Sequence, residues 1–205
     1  GQTSLFVYAY LDKALGGPSF FYVEGLAAGF GYNRVLIMPP IDKVAEFPLV
    51  KQVMGDKDPA QATASSTAVL QAQLAKLSVH IQPKAGEMFL AVGVKFNTFK
   101  LINSFVLLAF SFAGRLEINM LGQSPLILPL DEKGEPVGNP LAKINILLTG
   151  KFVPEEGTLA ILAQLSTDSY IFTKDCHLTG GAAFYSWFKG QHEGDFVVTM
   201  GGYHP

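Results

Sequence analysis

Charge is what this sequence has least of. Asp, Glu, Lys and Arg make up 16% of its 205 residues, where a soluble domain usually carries about 25%. The formal net charge is −2, and no cluster of Lys and Arg stands out along the chain. That excludes nucleic acid as a partner, because such binding depends on neutralising phosphates with a basic patch. It also leaves nothing to hold anionic lipid headgroups. The single cysteine, Cys176, excludes an internal disulfide. The longest weakly polar run, 101–114, is interrupted by Asn103, Ser104 and Ser111. It falls short of the roughly 18 apolar residues a membrane helix needs, so no membrane span is expected. Metal-ligand spacings such as C-x-x-C or H-x-x-x-H are missing, and no metal or cofactor site is expected.

What is present is apolar: 49% of the chain is hydrophobic and 12% aromatic. With so little charge to cover a surface, strands must be buried on both faces or apolar surface must be hidden against something else. The strand signals are strong. SLFVYAY at 4–10 opens the chain, and Leu15-Gly16-Gly17-Pro18 makes a turn. Met88, Leu90, Val92 and Val94 alternate with Phe89, Ala91, Gly93 and Lys95, so both faces of this strand are largely apolar. Phe105–Phe112 behaves alike. Shorter strands are expected at 116–121, 126–130, 144–149, 159–165, 170–172, 181–188 and 196–200, with 131–136 as a polar hairpin loop. Between Asp58 and Leu77 the pattern changes. Asp58 suits a cap, Pro59 the first helical position, and Val69, Leu70, Leu74 and Leu77 recur at helical spacing. The fold class is therefore mainly β (α+β): an antiparallel meander sheet or sandwich, with one amphipathic helix near residues 58–77 and residues 1–205 forming a single strand-rich domain.

The densest stretch is Phe20–Val50. Gly25, Gly29 and Gly31 mark places where a strand bends or another backbone approaches closely. Pro39-Pro40 ends any regular element, Asp42–Met54 holds no more than a helical turn, and Pro48 breaks it. Gly29-Phe30-Gly31 fails the dinucleotide pattern, since Arg34 stands at the third glycine position and no helix follows. Arg34, in so apolar a setting, requires a partner, and Glu24 or Asp42 are the acids at hand.

Three stretches resemble a known family. They are Gly25–Arg34 with Pro39-Pro40-Ile41 and Phe47-Pro48-Leu49-Val50, then Gly86–Phe96, then Leu178–Gly181 leading through Trp187-Phe188 to Gly194–Pro205. Together they resemble the long bacterial and fungal proteins known only as domain of unknown function 6603. The resemblance implies a large, strand-rich parent protein of which this chain is one segment, and it carries over no catalytic residue. The chain's beginning at Gly1 and ending directly after a strand-like run agree with that expectation.

Candidate chemistry is sparse. Asp175-Cys176-His177 sets a thiol beside an imidazole, but neighbours in a strand face opposite ways, so a hydrolase built on Cys176 must take a histidine from elsewhere. His192, Glu193, Asp195 and His204 form the only cluster of acids and imidazoles; they suit an ordinary turn, and the alternative is a hydrolase that uses these C-terminal acids. Tyr32, Tyr185, Trp187 and Tyr203 lie beside glycines or turns, where rings could stack on a glycan as in a lectin-like module. Long alternating strands also suit an outer-membrane barrel, although the helix and the Pro-Pro corner argue against a bare one. The expected function is a non-catalytic β-rich binding or assembly module. Its apolar faces would be closed by other segments of the parent chain, by self-association, or by an apolar ligand or glycan. The binding residues expected are Tyr32, Asn33, Arg34, Trp187, Tyr203 and His204.

Overall fold

The computed structural model describes residues 3–54, 75–131 and 137–201. The strands are β1 (Leu5–Gly16), β2 (Tyr22–Leu36), β3 (Ile81–Thr98), β4 (Ile102–Ser111), β5 (Glu117–Leu128), β6 (Ala142–Val153), β7 (Thr158–Leu165), β8 (Tyr170–Ile171), β9 (Gly181–Trp187) and β10 (Phe196–Gly201). They form one antiparallel sheet in the order β1-β2-β3-β4-β5-β6-β7-β9-β10, with β8 set aside against β6. Of the two architectures the alternation allowed, this is the meander, as one open sheet.

Several elements are longer than their sequence signals. The glycines of 25–31 lie inside β2 and pair without a break with β1 and β3. Residues 117–128 form one strand although Pro125 falls within it, where it lies opposite Asn145 of β6. Pro48 does not break a helix. It opens α1 (Pro48–Met54), at the helix start where its missing N–H costs nothing. The amphipathic helix expected near 58–77 falls largely outside the described residues. Residues 75–80, around its expected end, are helical and lead directly into β3.

The connection from β2 to β3 supplies the second layer. After Pro39-Pro40 a 3-10 helix (Ile41–Glu46) and α1 fold back over one face of the sheet. Val44, Phe47, Leu49, Val50 and Val53 are each no more than 1% exposed, packed with Phe89, Ala91, Phe105, Leu107, Ala109, Leu121 and Leu147 of the sheet. Burying each of these side chains is worth about 1.5–3 kcal/mol, so this layer holds much of the apolar stabilisation.

The layer sits close to the sheet because glycines make room. On the covered face a Cβ on Gly31 would stand 2.2 Å from the ring of Phe89, its direct partner on β3. A Cβ on Gly93 would stand 2.7 Å from the ring of Phe105 on β4. The rings lie flat over the neighbouring strand instead of standing up from it, so the glycine positions serve the side chains beside them.

Gly31→Ala is therefore expected to destabilise the chain by about 1–3 kcal/mol through overpacking against Phe89, read as a lower midpoint in denaturant. Combining it with Phe89→Leu should recover part of that loss. Additive losses would show that the ring and the glycine do not interlock.

Candidate functional site

Side chains in a strand alternate between faces, and directly paired residues share one, so the register traces each face across the sheet. The face turned away from the helical layer is uniform. One row runs from Ala9 through Ala28, Val92, Leu108 and Met120, then through Gly150, Ile161 and Phe184 to Val198. The row on one side includes Val7, Phe30, Leu90, Phe110, Phe152 and Phe196. The row on the other includes Leu11, Leu26, Val94, Val106, Leu148 and Met200. Across all three rows, over nine strands, no position is charged and the only polar side chain is Ser186. These groups meet solvent: Leu90 and Val92 are 40% exposed and Met200 85%, and Ile146, on the same face one row beyond Leu148, is 43% exposed. Nine strands at about 4.8 Å and three rows at about 6.8 Å give a face of roughly 40 by 20 Å, about 800 Å². Contiguous apolar patches of that size on a protein surface mark interaction sites.

The opposite face shows where the charge went. Past the helical layer, near the β5–β6 end, Glu117 accepts from Arg115 at 2.7 Å and from Lys151 at 3.0 Å, and Arg115 also pairs with Glu156. The Lys151 ammonium, with help from Arg115, holds the Glu117 carboxyl below its ordinary value although partial burial works against ionisation. A second apolar feature lies at one end of the sheet. It is a groove of about 700 Å³ lined by Phe99, Leu101, Leu128, Leu141 and Phe172, with Lys100 and Asp131 among its polar groups.

The expected binding residues do not converge. Tyr32 faces outward beside Leu5 and Met88, on the uncharged side of the sheet. Asn33 is a bulge residue in left-handed conformation, φ 51°. Its amide donates to the Thr3 carbonyl at 2.8 Å and accepts from the Gly86 N–H at 2.9 Å, so it staples the start of β1 to β3. Arg34 lacks the acidic partner expected of it. It donates to the Ile81 carbonyl at 3.1 Å and the Ser4 hydroxyl at 3.4 Å, with no carboxylate partner among the described residues, and its Nε is buried without an acceptor. A backbone carbonyl replaces the acid because Arg34 lies on the covered face opposite Pro83, next to Ile81. Trp187 is six strand steps from β2, about 29 Å away. Its ring lies 6.0 Å from that of His192. Tyr203 and His204 lie outside the described residues, as do 132–136 of the expected hairpin loop.

The hydrolase reading finds no support in the geometry. Cys176 is exposed in the turn after β8, with no imidazole in hydrogen-bond contact among the described residues. His192 pairs with Asp195 at 3.1 Å, and both side chains are open to water. No group of three His, Cys, Asp or Glu residues is placed to hold a metal among the described residues. No helix of the described residues is long and apolar enough to cross a membrane.

The model of a family of unknown function, DUF6603, matches residues 1–205. The chain belongs to this family. No curated protein and no solved structure matches it. The DUF6603 match covers the strands that build the uncharged face as well as the connection that fills the other. The alternation in 88–95 already showed two apolar faces. Which one stays uncovered was set by where the β2–β3 connection crosses, and no local pattern reports that.

Two predictions test these assignments. Asn33→Ala should cost about 1–2 kcal/mol, from two lost hydrogen bonds and alanine's poorer tolerance of positive φ, and Asn33→Gly should cost less because glycine adopts that conformation freely. Equal losses would show that the backbone conformation is not at issue. Glu117 has its carboxyl lowered on folding, so its contribution is full above the ordinary value of 4.5 and fades as pH falls through the folded value. Glu117→Gln should thus lower stability by about 1 kcal/mol or less at pH 7. Wild type and variant should converge in acid, as followed by urea denaturation at a series of pH values.

Proposed function

We propose that this chain is a non-catalytic docking module whose uncharged sheet face is covered when it works. The observation that supports the reading most is the three-row face itself: nine strands wide, without a charged side chain, most exposed on β1–β4 and β10 and half-buried between them. Its occupant has to be apolar, because nothing on the face could pair with a charge or orient a polar substrate. The candidates are a second copy, another segment of a parent chain, or an apolar ligand. Catalysis does not enter this reading, since the thiol, acid and imidazole groups of the described residues are dispersed over strands and loops and lie outside the three rows.

A polarity-sensitive thiol label tests it. Placed at Ile146→Cys in a Cys176→Ser background, the label should shift its emission to the blue when the chain is concentrated or when a long-chain fatty acid is added. Emission that stays aqueous under both conditions overturns the reading.

A further inference from the structure

Resting on that reading, we propose that the occupant of the uncharged face is a second copy of this chain, stacked sheet on sheet about a two-fold axis running along β5. The area supports this: about 800 Å² per partner is what a stable protein interface buries, and this face supplies that amount. A two-fold interface requires a surface complementary to itself. In the strand order β5 is the middle of nine, so an axis along it lays β1 over β10, β2 over β9, β3 over β7 and β4 over β6 of the partner. Because such an axis preserves position along the strands, each row lies over its own copy. Two large side chains meet in six of the twelve pairs, as in Phe110 over Phe152 and Leu90 over Leu159, and large meets small in the other six. Phe184 comes over Ala28, Phe30 over Ser186, Leu26 over Ala182, Leu108 over Gly150 and Val94 over Ala163.

Stacked sheets keep their strands within about 30° of each other and interdigitate in this way. A face with no charge gives no electrostatic means of selecting a different partner, and the six large-on-small pairs favour a copy. A lipid surface fits less well. Among the described residues the outer edges of β1 and β10 pair with no further strand, and their backbone groups, which hydrocarbon cannot satisfy, would lie at the wet rim of a sandwich.

Sedimentation of the chain over a concentration series, with the label at position 146 followed in parallel, tests the proposal. Expected is a dimer of twice 22.1 kDa whose formation tracks the blue shift. Leu90→Lys and Ile146→Lys, the latter without the label, are each expected to weaken it at least about thirtyfold. Circular dichroism keeps unfolded variants out of the comparison, and two sites on different strands guard against one failing to fold. With Ala28→Cys and Phe184→Cys together in the Cys176→Ser background, a bismaleimide spanning about 10 Å should link two chains. A monomer whose label shifts only with fatty acid overturns self-pairing and leaves the docking reading standing. A monomer with aqueous emission throughout overturns both. A dimer indifferent to Leu90→Lys and Ile146→Lys but lost on Thr199→Pro, in the edge strand β10, overturns the face-to-face arrangement in favour of edge pairing.

Discussion

The close seating of aromatic rings on glycine positions is the constraint on which the rest of this structure depends. Phe89 lies over Gly31 and Phe105 over Gly93, and only backbone hydrogens at those two positions leave room for the rings. With the rings laid flat, the 3-10 helix and α1 can approach and bury Val44, Phe47, Leu49, Val50 and Val53. Were the rings upright, the layer would ride higher and its side chains would lose the dispersion contacts that make burial worthwhile. The two-layer arrangement thus follows from sheet thickness, and so does its one-sidedness, since a single connection fills a single face.

The low charge of the chain takes on meaning against that asymmetry. A two-layer domain with one wet face would alternate apolar and polar residues along every strand. Here the charges that exist are gathered on the helix-bearing face and at the strand ends, as in the Arg115, Glu117, Lys151 and Glu156 group. The other face is written like the inner face of a sandwich, with Phe30, Phe110 and Phe152 beside Ala9, Ala28 and Gly150. A composition this poor in charge leaves that face without ionic groups to present to water.

Much of the fold was legible in the sequence, because strand periodicity is local. The 88–95 alternation gave β3 its two faces, and the stretches at 159–165, 181–188 and 196–200 fall on β7, β9 and β10 nearly to the residue. Punctuation was less dependable. Pro48 was read as a break yet opens a helix, and the two strands expected at 116–121 and 126–130 are one strand running through Pro125, since proline interrupts only where its N–H is needed. The site was legible in part. Tyr32 does lie on the exposed apolar face. Asn33 and Arg34, conspicuous for their polarity, have most of that polarity engaged by the chain itself, in Thr3, Ser4, Ile81 and Gly86. A sequence shows that a polar group stands in apolar company but not which backbone group meets it, because Arg34 and Ile81 are 47 positions apart.

The meander has a consequence for how such a chain can change its length. Apart from β8, which stands aside against β6, every strand pairs only with its neighbours along the path. Removing one strand would reverse the direction of all that follow and break the turn geometry. Removing two consecutive strands with their turn leaves direction and facing intact, so the rows on both faces simply close up. The natural unit of gain or loss in this architecture is therefore the hairpin. Stability should then accumulate nearly additively from one hairpin to the next, as in a linear array whose members feel only adjacent ones.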